Sequence, residues 1–316
     1  MSFNFGTRVA LLSSVSQPRH ILSGSTYLIT RRCLRRHYLL RPEYFINNLF
    51  VFVLAVLAAK YNIAIHAFCL ASTHEHLVLT DGSGKLPDFL RDLHRLTALA
   101  VKVQRKWEGS LWESDQASVV HLRTAEAIAE KIAYVMANPT AVGAVRYAKD
   151  WPGLVTTPSD IGKGTWTAKR PSVYFDQESC QWPERATLSL RMPPMIKEAF
   201  VDPIAVIKQE YQELQHKARQ EMAEKGRSFM GPDRVTKVSP YQRAKSWEDI
   251  RDLNPRFAVG RGQQKAKELA ITALKAFRSA YRAALQLWRS GNRSVQFPRG
   301  TWWMATFHRA IVADTG

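Results

Sequence analysis

Two strand-length apolar segments, Asn62–Ala71 and His74–Thr80, are separated by only Ser72 and Thr73, and the turn-forming run Asp81-Gly82-Ser83-Gly84 follows them. Segments this short and this close pair as a hairpin, so an antiparallel sheet is built into the middle of the N-terminal half. Side chains alternate across a strand. His74 and His76, in Ser72-Thr73-His74-Glu75-His76-Leu77-Val78, therefore face the same way and can share one metal ion. Further along, Ile132-Ala133-Tyr134-Val135-Met136-Ala137-Asn138-Pro139 sets Tyr134 and Asn138 four apart, one helical turn, on a common face.

The flanking periodicities extend the hairpin into a fold. Gly24 to Arg31 alternates as a first strand. Pro42 opens a helix through Phe45, Leu49, Phe52, Val53 and Val56 to Lys60. A second helix spans Leu86 to Trp107, Ser118 to Leu122 reads as a fourth strand, and Thr124 caps the helix that carries Tyr134. The order strand, helix, strand, strand, helix, strand is that of a ferredoxin-like split unit, an α+β fold whose antiparallel sheet is covered on one side by two helices. The other side is left for a site, and the third helix has to lie where its tyrosine meets the histidines.

The sequence predicts four regions: a flexible leader at 1–20, a catalytic domain at 21–155, an extension or linker at 156–200, and a basic, mainly helical region at 201–316. Prolines punctuate the linker, where only Ala186 to Arg191 looks strand-like. Asp202-Pro203 begins a helix with Ile204, Ile207, Tyr211, Leu214 and Ala218 on one stripe, stopped by Gly226. A last long helix runs from about Gln263 to Arg289 and ends at Gly291-Asn292. These stripes read as core. No repeat, P-loop or dinucleotide fingerprint occurs, so no nucleotide cofactor is expected.

Charge narrows the partner. The 316 residues carry 45 Lys and Arg against 27 Asp and Glu, a formal net charge of +18, with a pI near 10.0. Such an excess attracts polyanions, nucleic acid first and anionic membrane second. The longest apolar run, Leu49 to Ala59, is far short of the roughly 20 residues of a spanning helix, so no membrane partner is expected. The N-terminus shows no compact basic-then-apolar signal, and a cytoplasmic protein is the expectation. Cys33, Cys69 and Cys180 suggest neither a disulfide framework nor a zinc knuckle.

Ile128, Ile132 and Val135 define the apolar stripe of the third helix, and Tyr134 lies off it, in line with Glu130 and Asn138. A tyrosine, a metal and DNA together point to one reaction type: the phenol attacks a backbone phosphorus while a divalent ion polarises the phosphate. The product is a 5′-phosphotyrosine and a free 3′-hydroxyl. A phosphodiester is exchanged for a phosphodiester, so rejoining needs no ATP. His66 reads as a core residue, His94 and His121 lack a partner at metal spacing, and Tyr147 is the substitute nucleophile. Arg31, Arg32, Arg35 and Arg36 follow the first strand and suit phosphate contacts. Arg278, Arg282, Arg289, Arg293 and Arg299, with Trp288, Trp302 and Trp303, suit either DNA binding by charge and stacking or core packing.

These residues resemble the single-tyrosine HUH transposases, and in particular the REP-associated tyrosine transposases. The resemblance covers roughly residues 20 to 155. It rests on His-x-His in the third strand, on Tyr134-x-x-x-Asn138-Pro139 with Gly143 and Val145 following, and on the opening Ser25-Thr26-Tyr27-Leu28-Ile29-Thr30-Arg31-Arg32. It implies Tyr134 as nucleophile, His74 and His76 as ligands of Mg²⁺ or Mn²⁺, and Asn138 completing the metal site. Single-stranded or hairpin DNA is the implied partner, handled by a homodimer or a monomer. Glu75 departs from the pattern, because the family has a bulky hydrophobic residue between its histidines. It points into the helix-covered side of the sheet, where a carboxylate needs a basic partner, a solvent-exposed position or a raised pKa. Three functions follow: a DNA-strand transferase, a catalytically silent transposase-derived DNA-binding protein, or an RNA-binding or structural basic protein.

Overall fold

The computed structural model describes residues 18–245 and 255–313; most of the expected leader, residues 1–17, lies outside the described residues. The chain forms two compact units, one from Leu22 to Ile271 and the other from Thr272 onward together with the residues before Leu22. The first unit runs through the boundaries drawn at 155 and 200.

It begins with β1 (Ser25–Arg32), α1 (Tyr44–Tyr61), β2 (Ile63–Ala71), β3 (His74–Asp81), α2 (Leu86–Arg105) and β4 (Ser118–Leu122). The four strands pair antiparallel in the order β2-β3-β1-β4, as the split α+β reading requires. Local chemistry sets the boundaries. Asn62 and Lys106 adopt left-handed conformations that end α1 and α2, their amides returning to carbonyls of the last turn. The buried Asp81 carboxylate accepts from the amides of Ser83, Lys85 and Leu86, fixing the turn between β3 and α2.

One sheet face carries α1 and α2. The other carries α3 (Ala125–Ala141), whose Ile128, Ile132, Val135 and Met136 pack on Leu28, Val78 and Val120. The Thr124 hydroxyl caps α3 by accepting from Ala127 N at 3.2 Å. α1 is apolar nearly all round because both its sides are covered: α2 and the sheet lie on one, and the hairpin of β5 (Thr165–Lys169) and β6 (Arg185–Ser189) on the other. It is long and apolar enough to cross a membrane by composition, which the sequence reading did not expect, yet most of it is buried in this fold.

The helices α4 (Pro194–Ala199), α5 (Pro203–Glu224) and α6 (Pro232–Lys237) follow. α5 lays Ile207, Tyr211 and Leu214 against the α3 core, and its buried Gln215 accepts from Thr140 Oγ1 and Ala148 N. β7 (Phe257–Ala258) then adds a fifth, parallel strand beside β4. Two residues cannot announce a strand by periodicity, so the sequence does not show it. Gly260 lets the chain leave β7 close to α3, where a Cβ would run into the Cβ of Glu126, and its amide donates to the Thr124 hydroxyl at 3.0 Å.

The unit boundary falls within α7 (Gln264–Arg289). In the second unit Ala284 of this helix packs with Phe297, Met304 and Ala310, and Tyr281, Leu285 and Trp288 flank them. Met304 comes from α8 (Trp302–His308), and His20 stacks on Phe277 with ring centres 4.1 Å apart.

Candidate active site

Strand alternation puts His74, His76 and Val78 on the α3 face and Glu75 and Leu77 on the α1/α2 face. His74 and His76 lie side by side with ring centres 4.7 Å apart. α3 brings Tyr134 over them: its ring centre is 5.3 Å from that of His76, in an edge-on arrangement. One turn later Asn138, buried, has its Oδ1 3.1 Å from His74 Nε2. Pro139 sits inside the helix and Gly143, at positive φ, lies just beyond it, so the turn carrying Asn138 ends at once.

Each imidazole is held from behind by a threonine. Thr30 Oγ1 lies 2.8 Å from His76 Nδ1, and Thr73 Oγ1 lies 2.9 Å from His74 Nδ1. Both rings thus have Nδ1 engaged by a hydroxyl, the arrangement that orients metal-binding histidines elsewhere, and Nε2 of His74 is turned to Asn138 Oδ1. Burial, reinforced by the neighbouring positive charge of His74 and Arg32, holds the His76 pKa well below the usual histidine range. The ring is therefore neutral near pH 7, with a lone pair for a cation. The donor set is two imidazoles and an amide oxygen. No carboxylate joins it, and among the described residues no group of three or more His, Cys, Asp and Glu converges.

Tyr134 is 37% exposed, and Lys131 places its ammonium 5.7 Å from the centre of the phenol ring. The four arginines do not share one role. Arg32 lies opposite His74 in the β1–β3 register, on the site face; Arg31 lies opposite Glu75, on the other face. The Arg31 guanidinium donates to the carbonyl oxygens of Glu113 and Asp115, and the Arg35 amide donates to Glu113 Oε1 at 2.6 Å. Arg35 and Arg36 both stand at positive φ, in a short turn after β1.

Sequence reasoning did not single out Thr30, Thr73 or Lys131. Thr30 was readable in principle, because it shares the face of Leu28 on β1. The Tyr147 ring is flanked by Arg146, Lys149 and Arg219. His66 is a buried hydrogen-bonded residue, with Nδ1 2.6 Å from the Arg191 carbonyl oxygen and Nε2 2.7 Å from Thr80 Oγ1. The His121 ring lies 5.0 Å from that of Tyr27. His94 is paired with the Glu75 carboxylate, and among the described residues no third His, Cys, Asp or Glu joins the two as a metal-ligand group.

No family model matches the chain, and no curated protein matches it. Among solved structures, one described as the REP associates tyrosine transposase bound to a REP hairpin is similar at 19% identity over 45% of this chain and 82% of its own, with a TM-score of 0.39. A likeness at that level carries no functional argument, and the reading below rests on the site itself.

Proposed function

We propose that this chain is a metal-dependent DNA-strand transferase that nicks and rejoins single-stranded or hairpin DNA through Tyr134. The observation that carries the reading is the packing of the Tyr134 phenol against His76, with Asn138 one turn further on the same helix reaching His74. A nucleophile and a set of metal donors are thus held on two facing elements, α3 and β3.

In the reaction the Tyr134 oxygen bonds to phosphorus as the phosphorus–O3′ bond breaks. The phenol proton passes to solvent, to which Tyr134 is open, and the departing 3′-oxygen takes up a proton. Attack by a 3′-hydroxyl on the phosphotyrosine reverses the step and restores the tyrosine. The Lys131 ammonium beside the ring adds positive charge next to the nucleophile. Arg32, opposite His74, supplies positive charge for the strand's phosphates. His74, His76 and Asn138 would hold Mg²⁺ or Mn²⁺, with water and phosphate oxygens filling the positions that a carboxylate leaves open. The bound cation would polarise the phosphate and offset charge on the leaving oxygen.

The departure at Glu75 favoured the silent DNA-binding alternative. Its pairing with His94 on the opposite face of β3 weakens that objection, because Oε1 has a basic partner there and the histidines are untouched, while Oε2 stays buried without a hydrogen-bond partner. The test is a 3′-labelled hairpin-bearing strand incubated with protein and Mn²⁺ and run on a denaturing gel. The unmutated chain should retain label as a protein adduct, and Tyr134→Phe should bind the strand but form none. Binding without an adduct in the unmutated chain would return the reading to the silent alternative.

A further inference from the structure

The second unit has a surface that the strand-transfer reading does not use. Between Thr272 and Ala313 the sequence holds seven Lys or Arg and no Asp or Glu. Lys275, Arg282 and Arg289, all exposed, recur every seven residues along α7. Seven residues are close to two full turns, so the three form a ridge about 21 Å long on one flank of the helix. The opposing flank is occupied: Ala284 and Trp288 face the small core around Phe297 and Met304, and the buried Phe277 stacks on His20.

Aromatic surface accompanies the charge. On α8, Trp303 and Phe307 are more than half exposed and lie against each other with ring centres 4.2 Å apart. Trp302 packs edge-on to Phe307. Arg299 and Arg309, both exposed, bracket the helix, and the Arg293 guanidinium sits 4.4 Å over the Trp288 ring. Exposed aromatic surface of this size marks an interaction site, and a like-charged ridge repels itself; a partner with aromatic faces and regular negative charge suits both.

We infer that this unit binds single-stranded nucleic acid, its bases stacking on Trp303 and Phe307 and its phosphates held by the arginines and lysine of α7 and α8. A single strand fits because its bases are open to stacking, whereas those of a duplex are not. The inference stands apart from the strand-transfer reading, since none of these residues belongs to the Tyr134 site.

The test uses the full chain carrying Tyr134→Phe, so that cleavage plays no part, with a fluorescent oligo-thymidine strand that forms no hairpin. Anisotropy titrations compare this chain with one also carrying Trp303→Ala and Phe307→Ala, and with one also carrying Arg282→Gln and Arg289→Gln. All four positions are exposed, and a thermal melt confirms that each variant is folded. The aromatic variant should bind roughly tenfold or more weakly with an unchanged salt slope. The arginine variant should lower the slope of log affinity against log salt by about 1.4, at ~0.7 for each phosphate left without its arginine. An oligo-uridine strand should behave as oligo-thymidine does, and a duplex should compete at least tenfold less well. Unchanged strand binding in the aromatic variant, or equal competition by duplex, overturns the inference. So does a loss of self-association in that variant with binding intact, which would make the rings an interface between copies of the chain. If the strand binds as expected but no adduct ever forms on hairpins, only the strand-transfer reading falls.

Discussion

Glu75 Oε1 accepts a hydrogen bond of 2.7 Å from His94 Nε2, joining the strand that carries His74 and His76 to helix α2 beneath it. The carboxylate is fully buried, and Arg31 is its neighbour across the strand pair. Removing one partner leaves a buried polar group alone, whereas replacing both by hydrocarbon does not. His94→Ala should therefore destabilise the fold by about 3 kcal/mol or more, and Glu75→Leu with His94→Leu should recover most of that loss. Urea unfolding of the two variants checks it; equal losses would mean the pair is not a unit.

The His66 imidazole is locked between the Arg191 carbonyl and Thr80, whose hydroxyl also bonds to Thr26. Burial lowers its pKa from the ordinary 6.5 to about 4. Between those values the unfolded chain holds more protons at this position than the folded one, so stability is full above pH 6.5 and falls as the pH drops toward 4. The loss should reach about 3 kcal/mol. His66→Gln should show a correspondingly smaller difference in unfolding free energy between pH 7 and pH 4, and an unchanged difference would place the acid sensitivity elsewhere.

Asn138 is the proposed metal donor most easily tested without replacing a histidine. Its side chain is buried against His74 and within 3.9 Å of the Cys69 sulfur. Asn138→Ala should weaken Mn²⁺ binding about tenfold or more while the fold persists, as a loss of 1.4 kcal/mol or so in coordination requires. Titration calorimetry with Mn²⁺ measures this directly, and an unaltered affinity would remove Asn138 from the donor set.

Thr124 serves two partners at once, accepting from Ala127 N at the start of α3 and from Gly260 N after β7. Thr124→Ala should lower stability by about 1–2 kcal/mol, at the upper end for a helix cap. It should also reduce adduct formation, because α3 carries Tyr134. Thr124→Ser keeps the oxygen and should restore both; a serine variant as damaged as the alanine one would rule out the hydroxyl.

Much of this was legible before any coordinates. Period-two and period-3.6 patterns placed the first four strands and the helices from Tyr44 to Ala141 within a residue or two, because these elements pack on the two faces of one sheet between clear turn and cap signals. The shared face of His74 and His76 follows from strand alternation alone. The partner of Glu75 did not, since His94 is nineteen positions away on another element and only tertiary packing brings the two together. The fifth strand was hidden for a different reason: Phe257–Ala258 pairs with β4 through main-chain bonds from His121 N and Arg123 N, which leave no side-chain signature. The β5–β6 hairpin was half visible. Ala186 to Arg191 alternates, but the apolar face of its partner Thr165–Lys169 is only Trp166 and Ala168, too short a pattern to stand out.

The most direct measurement is where a nucleotide becomes attached. Protein incubated with a hairpin-bearing strand and Mn²⁺, then digested with nuclease and trypsin, yields peptides that separate the two tyrosines, because cleavage after Lys131 and Arg146 leaves Tyr134 in residues 132–146 and Tyr147 in residues 147–149. Mass spectrometry should find the phosphonucleotide on the peptide of Tyr134 and the other unmodified. A modification carried by Tyr147, or none on either peptide while the strand is bound, would contradict the account.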